Sequence, residues 1–220
     1  MSQELWTKVE DYFGPVVGED EVLKAAAKEG KQAGLPAIAV SPNEGKLLML
    51  MAQMIGARKI LEVGTLAGYS TIWLARGLSE SGRLITLEYE QKHADLAKKN
   101  IARAGLSGVI DVRVGDATKT MPELLKAGAG PFDLIFLDAN KDGYPAYFEW
   151  SLKLARKGTV IVADNVVRDG GVIDAASKDA SIQGVRRFNE MVLAEKRVSA
   201  TAIQTVGSKG YDGFAVALVL

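Results

Sequence analysis

The chain has 220 residues, 48% of them hydrophobic, which suffices for one sizeable core and is short for two independent domains. Lysine plus arginine number 27 and aspartate plus glutamate number 27, so no general field draws the protein to nucleic acid or to an anionic membrane. Cysteine is absent and histidine occurs once, at His93, which excludes disulfides, thiolate metal sites, a cysteine nucleophile and a histidine-built zinc site.

From the N-terminus, MSQELWTKVEDYF mixes charge with apolar residues, and no span reaches about 18 uninterrupted apolar residues, so a soluble cytoplasmic protein is expected. Leu5, Val9, Tyr12, Phe13 and Val16 keep helical spacing, and a second helix is expected over Glu19 to Gln32. Gly34-Leu35-Pro36 breaks the pattern. Ser41-Pro42-Asn43-Glu44 then combines a capping residue, proline at the first helical position and glutamate three after the cap, which specifies a helix start. The helix over Lys46 to Ile55 is apolar around nearly its whole circumference, including Met49, Met51 and Met54, so its second face needs cover from the N-terminal helices or from another subunit.

Beyond it, short apolar runs alternate with amphipathic stretches, the pattern of a parallel sheet covered on both faces. Strands are expected at 59–64, 83–88, 110–115, 132–138, 158–164, 198–206 and 213–220. Helices are expected at 69–78, 91–104, 118–126, 143–155 and 179–195. Only Gly207 to Asp212 separates the last two strands, too little for a crossover helix, so they should form an antiparallel hairpin. The expectation is one domain over 1–220, with a helical extension at 1–56 and a core at 57–220.

The run Lys59 to Ser70 is an apolar strand entering a glycine turn and then a helix, the arrangement of a nucleotide-type cofactor loop. It lacks both the dinucleotide G-x-G-x-x-G and the Walker ending Gly-Lys-Ser/Thr. Glu62 in this loop would repel a pyrophosphate but could accept bonds from an ammonium group, which suits S-adenosylmethionine better than NAD. The segment Glu62-Val63-Gly64-Thr65-Leu66-Ala67-Gly68-Tyr69-Ser70 resembles motif I of class I methyltransferases, and in this variant the cation-dependent O-methyltransferases of the caffeoyl-CoA and catechol type.

Ligands of open α/β sheets bind beyond the carboxyl ends of the strands. Those ends are acidic here: Glu88, Asp116, Asp138 and Asp164-Asn165. If the strands ending at Asp138 and Asp164 are neighbours, about 4.8 Å separates their axes. Two carboxylates and the Asn165 amide oxygen then form an all-oxygen site suited to magnesium, manganese or calcium. Asp138-Ala139-Asn140-Lys141 followed by Asp164-Asn165 closely resembles the family's metal and catalytic motifs.

That resemblance implies a Rossmann-like class I methyltransferase fold, with a seven-stranded, mostly parallel sheet, helices on both faces and a C-terminal antiparallel hairpin. It implies that Val40, Glu62, Gly64, Thr65, Ser70, Glu88, Asp116, Ala117 and Asp138 contact S-adenosylmethionine, Glu88 at the ribose and Asp116-Ala117 on the adenine side. An aspartate N-cap explains Asp116 nearly as well. Asp138, Asp164 and Asn165 become the ligands of a divalent cation, and Lys141 the general base or the group that orients the acceptor hydroxyl, with Asp138 beside it. A solvated lysine is the bland alternative for Lys141.

The acceptor implied is a small vicinal aromatic diol, catechol-like or caffeoyl-like, and the assembly a homodimer. Plant caffeoyl-CoA members usually carry an acid where Asn140 stands and an asparagine where Asp169 stands, which puts a CoA thioester in doubt. Two rivals remain, an NAD-dependent oxidoreductase of similar fold and a non-catalytic cofactor-binding subunit. His93 is expected to be a surface or satisfied helix residue, Trp73 and Trp150 core, and Tyr144, Tyr147 and Tyr211 either pocket lining or ordinary packing.

Overall fold

The computed structural model describes residues 2–220; Met1, the first residue of the expected domain, lies outside the described residues. Three helices open the chain: α1 (Gln3–Val17), α2 (Glu21–Gln32) and α3 (Pro42–Met54). Asp20 caps α2 through the Leu23 amide, so that helix starts two residues later than the spacing indicated. At α3 the capping box forms in full, with Ser41 N–H donating to Glu44 Oε2 at 2.8 Å and Glu44 N–H to Ser41 Oγ at 3.3 Å.

The core then alternates: β1 (Lys59–Val63), α4 (Tyr69–Arg76), β2 (Arg83–Glu88), α5 (Gln91–Arg103), β3 (Ile110–Val114), α6 (Ala117–Lys126) and β4 (Leu134–Leu137). It continues with α7 (Tyr144–Leu154), β5 (Val160–Asp164), α8 (Ala180–Ala194), β6 (Val198–Gly207) and β7 (Gly210–Val219). The seven strands form one sheet in the order β3-β2-β1-β4-β5-β7-β6, with β7 antiparallel to both β5 and β6. This is the seven-stranded, mostly parallel sheet with a C-terminal antiparallel hairpin that the resemblance implied.

Three further details differ from the expected elements. The hairpin turn is only Ser208-Lys209, because Gly207 pairs with Gly210 and the ladder runs to the tip. A 3-10 turn over Lys141–Gly143 precedes α7, so that helix begins at Tyr144. A second 3-10 turn, Gly171–Ile173, interrupts the β5–α8 connection.

Strand alternation sorts the core into two layers. Ile60, Leu84, Leu134, Phe136 and Val162 pack with Leu23, Leu48, Trp73 and Leu74 from the N-terminal helices and α4. Leu61, Leu87, Ile135, Leu137 and Ile161 face Met121, Leu124, Phe148 and Phe188 from α6, α7 and α8. On α3 the buried stripe is Gly45, Leu48 and Ala52, while Leu50, Met54 and the C-capping Ile55 stay exposed. Tyr12 and Val16 on α1 and Ile203 and Val206 on β6 are exposed as well. Among the described residues no helix is long and apolar enough to cross a membrane.

Candidate functional site

The strand order reverses between β1 and β4, and such a switch point opens a crevice at the carboxyl ends of the strands. Here the two strands touch closely: Asp138 N–H donates to Val63 O at 2.8 Å, and a Cβ on Gly64 would lie 2.2 Å from Asp138 O. Gly64 also has φ +102°, so glycine is required by the approach of two main chains and not only by a ligand.

The loop after β1 is held by carboxylates. Glu88, ending β2, accepts Thr65 N–H (3.1 Å) and Leu66 N–H (2.8 Å) on Oε2, and Glu90 N–H (3.0 Å) on Oε1. His93 Nδ1 lies 3.3 Å from Glu88 Oε1, so the one histidine is tied to this site from α5. Glu62, wholly buried, accepts Ser70 Oγ–H at 2.7 Å, Thr71 Oγ1–H at 2.5 Å and Thr86 Oγ1–H at 2.6 Å. Burial pushes its carboxyl up to about 7, against the pull of those three hydroxyls. Glu62 therefore binds β1 to β2 and to the first turn of α4, a role that the strand pattern alone did not indicate. Gly68 caps α4 without a side chain, which leaves the helix's first N–H groups open to an anionic group.

Val40, Thr65, Ser70 and Ala117 are all buried near these strand ends. Asp116 does cap α6, accepting Thr118 N–H at 2.9 Å and Thr118 Oγ1–H at 2.7 Å, and these bonds hold its carboxyl below the usual range. Both meanings weighed for Asp116 thus stay compatible with its place.

Asp138 and Asp164 each stand two residues beyond a side chain of the same core layer, Phe136 and Val162, so alternation sends both to the face covered by α3. Asp164 is 6% exposed. Burial pushes its carboxyl well above the usual range, the charges of Asp138 and Glu44 push further, and Lys141 pulls back. Glu44 is raised too, by burial first and in part by Asp138. Asn165 follows with φ +54° and gives its N–H to Asp164 Oδ1 at 2.7 Å. A small cavity of about 20 Å³ beneath this group is lined by Val40, Glu44, Leu48, Phe136 and Asp164.

Lys141 is not solvated. It is 8% exposed, its Nζ lies 2.7 Å from Asp138 Oδ1, and the ammonium sits 5.0 Å from the centre of the Tyr144 ring. Its turn is pressed by α8, where a Cβ on Gly184 would lie 2.2 Å from Lys141 O. Sequence reasoning took Glu44 only as part of a cap; the capping box located its helix, but nothing local indicated that its carboxylate faces Asp164. Trp73 is core as expected, and Tyr144 and Tyr147 are buried, with Tyr147 Oη donating to Asn140 Oδ1 at 2.5 Å. Among the described residues no three His, Cys, Asp or Glu side chains gather into a metal cluster by themselves, so a cation here would need the Asn165 amide. A larger concavity of about 250 Å³ between the Gly171–Ile173 turn and α8 touches none of the residues singled out in the sequence.

Residues 15–216 match the family model described as O-methyltransferase. The chain is 54% identical over 220 residues, all of both chains, to a catechol O-methyltransferase of Niastella koreensis. It is similar to a solved O-methyltransferase from Bacillus cereus in complex with SAH, with a TM-score of 0.98, 55% identity and 100% of each chain covered. An O-methyltransferase from Streptomyces achromogenes involved in tomaymycin synthesis, solved in complex with SAM, gives a TM-score of 0.96 and 50% identity, over 100% of this chain and 99% of that one. With a match across most of its length and relatives above half identity over the whole of it, the chain belongs to the O-methyltransferase family.

Proposed function

We propose that this enzyme uses S-adenosylmethionine and a divalent cation to methylate one hydroxyl of a vicinal aromatic diol of the catechol or caffeoyl type. The observation that carries the reading is geometric: Asp138 holds the Lys141 ammonium at 2.7 Å where β4 ends, and Asp164-Asn165 follow the last rung of the neighbouring β5. The donors are oxygen only, Asp138, Asp164 and Asn165, which fits magnesium best and also manganese or calcium. When bound, such an ion supplies Lewis acidity that eases ionisation of an acceptor hydroxyl.

The chain's own groups do the rest. Lys141, fixed by Asp138, takes the acceptor's proton or orients its hydroxyl. The open N-terminus of α4 receives the cofactor's carboxylate, Glu88 the ribose and Asp116-Ala117 the adenine side, with Val40, Gly64, Thr65 and Ser70 lining the path. Glu62 and Asp138 complete the cofactor contacts, and Glu62 also ties β1 to α4 and β2 through Ser70, Thr71 and Thr86. Names of relatives support the cofactor and the acceptor class: catechol for the Niastella enzyme, SAM and SAH for the solved ones.

The reading takes 1–220 as one catalytic domain in the cytoplasm, paired as a homodimer through the N-terminal helices and α3, whose exposed Tyr12, Val16, Leu50 and Met54 want cover. The deciding experiment is an acceptor screen with catechols, caffeoyl derivatives and monophenols, each with magnesium and with EDTA. Methylation of diols alone, lost in EDTA, is the expected result; equal transfer to monophenols in EDTA would overturn it.

A further inference from the structure

Tyr144 is wholly buried, yet its hydroxyl reaches two main-chain carbonyls, Leu137 O and Asp164 O, each at 2.8 Å. One O–H proton is thus shared between the last residue of β4 and the last residue of β5. The paired register of these strands ends at Leu137↔Ala163, so Asp164 lies beyond the last rung and Asp138 follows immediately on the other strand. Beyond that rung, the shared hydroxyl couples the two carboxylate-bearing ends. The same ring lies beneath the Lys141 ammonium and packs edge-on against Phe188 of α8, with ring centres 5.7 Å apart.

The geometry points to Tyr144 as a positioning residue that sets the separation of Asp138 and Asp164 for the divalent cation and supports Lys141, without touching acceptor or cofactor. The inference rests on the metal-dependent reading above. A phenylalanine at 144 keeps the ring under Lys141 and against Phe188, and removes only the hydroxyl that couples the strand ends. Both carbonyls then lose a buried donor, and the ends are free to shift apart. Supporting groups of this kind alter metal affinity about 10-fold to 100-fold when removed.

The test uses the full-length protein with S-adenosylmethionine present and manganese as the probe, its free concentration followed by electron paramagnetic resonance. In Tyr144→Phe the manganese Kd should rise by at least about 10-fold. The Kd for S-adenosylmethionine should stay within about two-fold, because the loop after β1 and Glu88 are untouched. Phe188→Leu is the packing control: it should lower Tm while leaving the manganese Kd unchanged. Wild-type manganese binding with an unchanged Kd in Tyr144→Phe would overturn this inference alone. A wild-type chain that binds no manganese would overturn the metal-dependent reading and this inference with it. If Phe188→Leu weakens manganese as much as Tyr144→Phe, the effect is general loosening and the specific role of the hydroxyl is refuted.

Discussion

Replacing Glu62 by glutamine isolates the electrostatic cost of the carboxylate beneath the loop after β1. Glu62 is wholly buried and its carboxyl is raised from 4.5 to about 7, so the folded state holds its proton over a range in which the unfolded chain has released it. A raised acid stabilises the fold fully below about 4.5, and that contribution is lost as pH rises through about 7. The difference between 4.5 and about 7 corresponds to about 3.5 kcal/mol at about 1.4 kcal/mol per pH unit. Between pH 5 and pH 8 the share that changes is about 2.5 kcal/mol. Glutamine has no such titration, and the hydroxyls of Ser70, Thr71 and Thr86 can turn to accept as well as donate. Urea unfolding of both proteins at pH 5, 6, 7 and 8 gives the stability difference at each pH. Whatever constant cost the amide carries, Glu62→Gln should gain on wild type by about 2.5 kcal/mol from pH 5 to pH 8. A difference constant within about 0.5 kcal/mol across that range would refute the reasoning, and would mean that the three hydroxyls already compensate burial.

Other perturbations read the remaining parts of the site. Lys141→Ala should lower kcat by about 100-fold or more while the Kd for S-adenosylmethionine holds, and Lys141→Arg should not rescue it, since a guanidinium is a poor base; wild-type rates would reduce Lys141 to a structural ion pair. Asp164→Asn relieves the crowding with Asp138 and Glu44, so the metal-free protein should melt at higher temperature and manganese should no longer raise its Tm; a metal-induced rise equal to that of wild type would remove Asp164 from the ligand set. Gly64→Ala forces a Cβ to within 2.2 Å of Asp138 O at φ +102° and should cost about 3 kcal/mol or more in urea unfolding, so a near-neutral effect would show that β1 and β4 separate easily. Light scattering at micromolar concentration should give twice the 23.5 kDa chain mass, and a single 23.5 kDa species throughout dilution would reject the dimer.

How far the sequence was legible depends on whether a feature is local. The alternation of apolar runs and amphipathic helices located all seven strands, and the short link between β6 and β7 foretold their antiparallel pairing, because a crossover needs length. The acidic strand ends were visible for the same reason: a run of four or five apolar residues that stops at a carboxylate is a one-dimensional signal. What the carboxylates do is a matter of neighbours. Glu62 and Glu88 look alike as strand residues, yet one is enclosed by three hydroxyls from α4 and β2 while the other gathers main-chain amides and His93. Lys141 shows the limit most clearly. Three residues after Asp138, it had the reach to enter the site or to leave it for water. The choice is made by a 3-10 turn that the helical periodicity of α7 hides, by α8 closing on that turn at Gly184, and by the Tyr144 ring under the ammonium. Burial of the lysine is therefore a property of three elements meeting, which no single stretch of the sequence records.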